Sequence, residues 1–233
     1  MKKLRHIIKF LLGKEILIRK DLKLNLKWFG NKHAGFYLHP DWINNQSIIY
    51  SFGVGTDISF DTALIDQFNC TVYGFDPTPK TIDFIANYKQ LPTEFIFEPY
   101  GLYNYDGTIE FLLPENPNHV SCTVGNLRNY EHGKLNKVEV PVLKFDSIIK
   151  KLGHLKIDVL KLDIEGSEYM VLEEILNADI QISQICIEFH HRFKGVAKQK
   201  TIHAIKRLRE EGFRLVGISD QVEEYTFVNS KLL

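Results

Sequence analysis

The sequence predicts an α/β fold in which a mostly parallel β-sheet carries helices on both faces. From residue 48 onward, short apolar runs alternate with helical patterns. Two glycines follow the first of these runs, and the last two runs are joined only by residues 219–222. So short a connection fits an antiparallel hairpin, because a parallel pair needs a longer crossover.

The predicted strands are short runs rich in β-branched and aromatic residues. They cover residues 48–52, 71–75, 94–99, 158–162 and 183–189, and the terminal hairpin adds 213–217 and 223–228. The predicted helices have apolar residues at helical spacing, and they cover residues 58–68, 80–89, 167–176 and 197–211. Gly212 ends the last helix.

The alternation of helix and strand breaks between Gly101 and Val142. A turn at residues 106–107 leads into an alternating strand at 108–113, and a polar stretch with two prolines follows. We therefore predict a hairpin and loop inserted at about 101–142 into a domain that covers 46–233. Loops of this kind commonly determine substrate choice.

The composition is that of an ordinary globular protein, with 44% hydrophobic and 25% charged residues. The formal net charge of zero argues against a general nucleic-acid binder. The three cysteines, Cys70, Cys122 and Cys186, match no metal-binding pattern. We interpret Cys70 and Cys186 as small core residues of a protein from a reducing compartment.

The first 45 residues are predicted to form a basic helical segment that packs on the domain or extends from it. Residues 1–32 carry ten Lys or Arg against two acids. The apolar positions of residues 4–12 share one helical face, which would dock either on an anionic membrane surface or on the domain itself. No cleavage site follows, and no run approaches the roughly 20 apolar residues of a membrane span. We expect a cytoplasmic protein, with membrane contact limited to this segment.

Gly53 and Gly55 lie between a predicted strand and a predicted helix. Glycines there allow a tight turn and a close approach to a ligand, and Asp76, 21 residues after Gly55, can accept hydrogen bonds from ribose hydroxyls. The pattern indicates an adenosine site; the plainer alternative is a tight loop. NAD-binding folds place a third glycine where this chain has Ile58, which favours S-adenosylmethionine, a cofactor without a phosphate.

Charged residues end two further strands. Lys161 and Asp163 share one face of their strand, so we interpret Lys161 as a structural residue paired with Asp163 or an acid of the next strand. If the strands are neighbours, Asp163, Glu188 and His190 converge at the carboxyl edge of the sheet. Glu188 or His190 would then act as the base in methyl transfer to a hydroxyl. A divalent metal at this edge is the less favoured alternative, because the spacing fits no dedicated metal signature.

The sequence resembles the FkbM family of S-adenosylmethionine-dependent methyltransferases from about residue 35 to 188. The segment Leu-Lys-Leu-Asp-Ile-Glu-Gly-Ser-Glu at 160–168 is similar to the family signature without a gap, and residues 50–61 and 75–79 resemble one branch of the family. The resemblance implies a class I methyltransferase fold, with a Rossmann-like sheet of seven strands that includes an antiparallel terminal strand. It also implies O-methylation, often of sugars or other small hydroxylated compounds.

The resemblance also implies roles for single residues. Gly53 and Gly55 would border the methionine part of the cofactor, Asp76 would bind its ribose, and Asp163 and Glu165 would line the catalytic mouth. Ser121 falls in a loop that the family uses near the cofactor.

Ser51 departs from the family pattern, since most class I methyltransferases have an acid there, two residues before the first glycine. Asp57 or Asp163 would have to supply the missing carboxylate. Ser51 thus keeps open the alternative of a non-catalytic binding or scaffold protein on the same fold. A nicotinamide dehydrogenase is disfavoured by Ile58 and by the terminal hairpin, and neither the acceptor nor the oligomeric state is readable from the sequence.

Overall fold

The computed structural model describes residues 16–112, 123–124, 137–193 and 196–233. Its strands are β1 (Lys27–Gly30), β2 (Gly35–Leu38), β3 (Ile48–Phe52), β4 (Thr71–Phe75), β5 (Phe95–Glu98), β6 (Gly101–Leu102), β7 (Gly107–Leu112), β8 (Thr123–Val124), β9 (Lys137–Leu143), β10 (Lys156–Leu162), β11 (Gln181–Glu188), β12 (Phe213–Ile218) and β13 (Glu224–Asn229). Its α-helices are α1 (Ser59–Phe68), α2 (Pro79–Ala86), α3 (Phe145–Leu152), α4 (Glu168–Asn177) and α5 (Lys198–Glu210).

The described strands include a seven-stranded sheet in the order β12-β13-β11-β10-β3-β4-β5. The strands from β11 to β5 pair in parallel, whereas β13 runs antiparallel to both β11 and β12. This arrangement confirms the predicted α/β fold and its antiparallel terminal strand. The order also makes β3, β10 and β11 adjacent, so their carboxyl ends meet at one edge.

The two faces of this sheet are covered by different helices. Successive residues of a strand point to opposite faces. Tyr50 and Phe52 of β3 therefore belong to a core with α3, α4 and α5, while Ile49 belongs to a core with α1, α2 and the β1–β2 hairpin. Burying each large apolar side chain contributes about 1.5–3 kcal/mol. The two cores thereby fix the strand register and the position of the strand ends.

Predicted and observed elements agree to within three residues at each end. Helix α3 is missing from the sequence prediction, although Phe145, Ile148 and Leu152 have helical spacing and Gly153 ends the helix in the left-handed conformation. The predicted core cysteines Cys70 and Cys186 are both fully buried, which confirms their interpretation. Cys122 lies outside the described residues.

Residues 16–45 contain no α-helix, although the sequence predicted a helical segment there. Strands β1 and β2 form an antiparallel hairpin with Gly30 at φ +90° in its turn. The hairpin buries Phe29, Phe36 and Leu38 against α1 and the sheet, which explains why this part of the segment pairs as strands. Residues 1–15, with the apolar helical face, lie outside the described residues, so the membrane contact stays a prediction. No helix of the described chain has the length and apolarity of a bilayer span.

The insertion at 101–142 contains a second, smaller sheet in the order β6-β9-β7-β8. Strands β7 and β9 pair antiparallel, and β7 corresponds to the strand predicted at 108–113. Ile109, Val140 and Val142 form a small core of their own. Because β6 follows directly from β5, this sheet lies at the carboxyl edge of the central sheet.

Candidate active site

The predicted glycine turn joins β3 to α1. Gly53 has φ +81°, and its N–H donates to the carbonyl of Phe75 at 3.0 Å. A Cβ at Gly53 would lie 1.7 Å from the carbonyl oxygen of Asp163, so only glycine fits. Gly53 thus allows the ends of β3 and β10 to approach each other.

Asp76 follows the end of β4, beside the glycine turn. Its Oδ2 accepts a hydrogen bond from the N–H of Gly55 at 2.9 Å, and its Oδ1 accepts from the N–H and the hydroxyl of Thr78 at 2.9 and 2.7 Å. The side chain is 6% exposed and lines the cavity described next. A carboxylate held by three hydrogen bonds is preorganised, and each oxygen keeps lone pairs for a ligand.

A cavity of about 240 Å³ lies under the glycine turn at the carboxyl edge of the sheet. The rings of Phe52 and Phe75, stacked with centroids 4.3 Å apart, line it together with residues 53–57 and 76–78. The insertion supplies a wall with Leu102, Ile109 and Val142. The cavity is thus bounded by the predicted cofactor turn and by the predicted specificity insertion.

Helix α1 brings the carboxylate of Asp61 beside Ser51, the position on β3 where the family resemblance leads one to expect an acid. Ser51 is fully buried and lies beside Asp61, whose side chain is 1% exposed and lines the cavity. Among the described residues, the Ser51 hydroxyl and Asp61 Oδ1 are buried without a hydrogen-bond partner. Burial raises the pKa of Asp61 to about 6, although the nearby Lys161 ammonium opposes that shift. Sequence reasoning missed Asp61; its only signal is an acid on the apolar face of α1.

Asp57, one of the two predicted substitutes for the missing acid, has a structural role. Its Oδ1 accepts from the N–H of Ser59, and its Oδ2 accepts from the side-chain amide of Asn31. Asp57 therefore ties the start of α1 to the β1–β2 turn. It does line the cavity, but both of its oxygens already have protein partners.

Lys161 has the structural role predicted for it. Its Nζ lies 3.7 Å from Asp163 Oδ2 and donates to the carbonyl of Gly53 at 2.7 Å. The side chain is 7% exposed. The ammonium thus compensates its burial by binding both the glycine turn and the acid at the end of β10.

Asp163, Glu188 and His190 converge as predicted. His190, 7% exposed, has its Nε2 3.9 Å from Asp163 Oδ1 and 3.9 Å from Glu188 Oε1. Glu165 Oε2 lies 3.7 Å from the same nitrogen. Asp163 and Glu165 line the cavity, whereas Glu188 and His190 lie behind them in the described structure.

Glu168, on the first turn of α4, completes this cluster and was assigned no role from the sequence. It is 1% exposed, and its Oε1 lies 2.7 Å from Nδ1 of His190. It also accepts from the backbone N–H groups of Ile164 and Gly166, both at 3.2 Å. The backbone between these residues is unusual, because Glu165 has φ +54°. Residues held in such strained conformations tend to cluster at functional sites.

The charges of this cluster depend on one another. Burial lowers the pKa of His190, but the carboxylates of Glu168, Asp163 and Glu165 outweigh it and raise that pKa above its usual range. Burial raises the pKa of Glu188, and the carboxylate of Asp163 raises it further. Both shifts favour the protonated forms of the two bases predicted from the sequence. Their catalytic roles stay predictions, and Ser121 lies outside the described residues.

Residues 47–215, which contain this site, match a known protein family. A family model described as the methyltransferase FkbM domain matches residues 47–215. Human probable methyltransferase-like protein 24 is 27% identical over 182 residues, which cover 74% of this chain and 42% of that protein. Hexuronic acid methyltransferase AglP of Haloferax volcanii is 27% identical over 141 residues, which cover 59% of this chain and 54% of that protein.

Among solved structures, a fibrillarin pre-rRNA processing protein of Methanococcus jannaschii aligns with a TM-score of 0.47 and 13% identity, over 84% of this chain and 71% of that chain. The chain spans about half or less of the length of the two curated relatives above, 42% and 54%. The family match at 47–215 includes both the glycine turn and the acid cluster.

Proposed function

This chain belongs to the FkbM methyltransferase family, and from that premise we propose that it transfers a methyl group from S-adenosylmethionine to a hydroxyl of a small molecule or sugar. S-adenosylmethionine is the cofactor of this family. The observation that carries the proposal is the buried carboxylate of Asp76, bonded to the N–H of Gly55 at the rim of a cavity under a glycine turn.

The residues present fit the cofactor at both of its polar ends. Asp76 has oxygen lone pairs for the ribose hydroxyls, as the family resemblance implies. Asp61 Oδ1 is a buried carboxylate oxygen without a partner among the described residues, and it belongs to the same cavity. A buried carboxylate oxygen without a hydrogen-bond partner is unfavourable, and a nearby cation would relieve that cost. We assign Asp61 to the ammonium of the cofactor, in place of the acid that Ser51 lacks.

When bound, S-adenosylmethionine supplies an electrophilic methyl group: the acceptor oxygen forms a C–O bond while the S–C bond breaks, with its electron pair kept by sulfur. The protein has to place the acceptor in line and let the hydroxyl proton leave. Asp163 and Glu165 line the cavity and would hold the acceptor there. Glu188 and His190 lie directly behind them and would relay the proton.

A sugar is the favoured acceptor within this class. The relative AglP of Haloferax volcanii is named a hexuronic acid methyltransferase. The insertion that forms one wall of the cavity combines apolar side chains with Tyr103, a surface suited to a sugar ring with apolar and hydroxylated faces. The non-catalytic alternative depends on Ser51, and a carboxylate beside it in the same cavity, that of Asp61, supports the catalytic proposal instead.

Transfer of a radioactive methyl group from S-adenosylmethionine tests the proposal. We expect labelled product from a panel of hexoses and hexuronic acids, analysed by mass spectrometry for a gain of one methyl group. Glu188→Gln should lower the rate by about 100-fold or more if this residue relays the proton. Cofactor binding without labelled product, across sugars, other small hydroxylated compounds and a cell extract, would instead support a binding protein.

The affinity for S-adenosylhomocysteine should depend on pH through Asp61. The pKa of Asp61 is about 6 in the free protein, because burial outweighs Lys161 of β10, while Asp57 raises it slightly and Ser51 of β3 lowers it. An ammonium favours the ionised form, so binding below that pKa must first remove a proton. Below the pKa of the free protein, each pH unit lowers the affinity by up to about tenfold. We therefore expect about tenfold weaker binding at pH 5 than at pH 7.

Isothermal titration calorimetry of Asp61→Asn checks this expectation. The variant should bind about 10-fold to 100-fold more weakly at pH 7, the loss of one charge-assisted hydrogen bond, and its affinity should be flat between pH 5 and 7. Asp66→Asn, an exposed acid on the same helix, is the control and should retain the wild-type profile. An unchanged pH profile in Asp61→Asn would assign the ammonium to another group.

A further inference from the structure

The imidazole of His190 is held in one orientation by a buried partner. Nδ1 donates to Oε1 of Glu168 at 2.7 Å, and Glu168 is itself fixed by two backbone N–H groups. The other ring nitrogen, Nε2, therefore faces the carboxylates of Asp163, Glu165 and Glu188. A histidine oriented by a carboxylate through its other nitrogen is the usual form of a metal-binding histidine.

The distances from Nε2 describe a space for a cation. Its separations from oxygens of Glu165, Asp163 and Glu188 are 3.7, 3.9 and 3.9 Å, all beyond hydrogen-bonding range. Ligand atoms of Asp163, Glu188 and His190 all lie within 4.8 Å of one another. In an octahedral site with bonds of about 2.1 Å, neighbouring ligands lie about 3 Å apart and opposite ligands about 4.2 Å apart. The separations of Nε2 from Asp163 and from Glu188, 3.9 Å each, lie within that range.

The two oxygens of Asp163 have different surroundings. Oδ2 faces the ammonium of Lys161 at 3.7 Å, and Oδ1 faces His190. Lys161 is anchored on the carbonyl of Gly53, so it stays on the side of the glycine turn. Asp163 therefore presents one oxygen to the cluster while it also lines the cavity.

We propose that Asp163, Glu188 and His190 bind a divalent cation of the Mg²⁺ or Mn²⁺ class at the edge of the cavity. Two carboxylate oxygens and one imidazole nitrogen suit Mn²⁺ and, less strongly, Mg²⁺. Three protein ligands leave positions for water and for hydroxyl groups of the acceptor. Glu168 orients His190 through its hydrogen bond to Nδ1, which keeps Nε2 directed at the ion.

The ion would act on the acceptor, a step that rests on the proposed function. Coordination of the acceptor hydroxyl lowers its pKa, so its proton passes to water and the oxygen keeps the electron pair. That pair forms the new C–O bond as the S–C bond of the cofactor breaks, and the electrons of the broken bond remain on sulfur. A vicinal diol, common in sugars, would occupy two of the open positions.

Electron paramagnetic resonance of Mn²⁺ tests the binding without any methyl transfer. Titrating the protein with MnCl₂ should remove the signal of free aqueous Mn²⁺ until about one ion per chain is bound, and Mg²⁺ should compete. Glu188→Gln and His190→Gln should each weaken Mn²⁺ binding more than tenfold. Glu168→Gln, which changes only the orienting partner, should weaken it by about 10-fold to 100-fold.

Exposed residues of the same types provide matched controls: Glu139→Gln and His203→Gln should bind Mn²⁺ like the wild type. Each variant's melting temperature and its binding of S-adenosylhomocysteine establish that it is folded. A wild-type protein that binds the nucleoside but no Mn²⁺ at millimolar concentration overturns the proposal. Equal Mn²⁺ binding by the wild type and by folded Glu188→Gln and His190→Gln does so as well.

Chelation separates this proposal from the proposed function. Labelled methyl transfer that is lost in EDTA and restored by Mn²⁺ or Mg²⁺ supports both. Transfer at an unchanged rate in EDTA keeps the methyltransferase and overturns the metal site. Mn²⁺ binding that depends on His190, in a protein that methylates no acceptor, keeps the metal site and overturns the proposed function.

Discussion

Replacing Asp76 by alanine should weaken the binding of S-adenosylhomocysteine by about 100-fold or more. The carboxylate would accept hydrogen bonds from the ribose, each worth about 1.5–3 kcal/mol when the acceptor is charged, and 1.4 kcal/mol corresponds to a factor of ten. The substitution also removes the acceptor for the N–H of Gly55 and the partners of Thr78, which loosens the glycine turn. Isothermal titration calorimetry measures the change directly.

Two further variants separate these contributions. Asp76→Asn keeps one oxygen that can accept from the glycine turn but loses the charge, so its affinity should fall between those of the wild type and Asp76→Ala. Asp83→Ala changes an exposed acid on the following helix and should leave binding unchanged. Binding by Asp76→Ala within about threefold of the wild type would show that the ribose lies elsewhere.

Gly53→Ala should destabilise the protein by more than about 3 kcal/mol, because it combines a left-handed backbone with a steric collision. The new Cβ would lie 1.7 Å from the carbonyl oxygen and 2.7 Å from the carbonyl carbon of Asp163. Relief of that contact requires β3 and β10 to separate at the point where the site is formed. For a domain of this size the melting temperature should fall by about 6–12 °C, measured by thermal denaturation.

Gly153→Ala is the matched control. Gly153 also has a positive φ, +71°, but a Cβ there would meet nothing within 4 Å. This variant should lose only the conformational contribution, about 1 kcal/mol or about 2–4 °C. Equal losses in the two variants would mean that backbone conformation, and not contact with Asp163, determines the requirement for glycine at position 53.

Most of the fold could be predicted from the sequence because the apolar periodicity is strong in the central strands and their helices. The elements that were missed include the β1–β2 hairpin and α3, besides the two-residue strands β6 and β8. Strands β1 and β2 have four residues each, and their pairing depends on burial against α1 and the sheet, a tertiary effect. Helix α3 has a clear helical pattern but follows directly on the insertion, where the alternation of elements had already been interrupted.

The site was predictable where residues follow strand ends and unpredictable where they come from helices. Asp76, Asp163, Glu188 and His190 each lie at or just after a strand whose neighbours could be inferred. Asp61 is different, since it reaches the cavity only because α1 packs its buried face on Ser51 and Lys161.

Glu168 is a similar case, because its function depends on a histidine 22 residues away along the chain. The predicted substitute Asp57 has suitable spacing in the sequence. Its oxygens, however, accept hydrogen bonds from Ser59 and Asn31, so it stabilises the turn instead.

A crystal structure of the chain with S-adenosylhomocysteine bound is the most direct measurement of the central claim, that the cavity under the glycine turn is the cofactor site. The account predicts ribose hydroxyls within hydrogen-bonding distance of Asp76 and the ammonium of the ligand beside Asp61, with the sulfur directed toward Asp163. Nucleoside bound outside this cavity, or bound in it with its adenine toward Asp61 and its amino acid part away from Gly53, would contradict that claim.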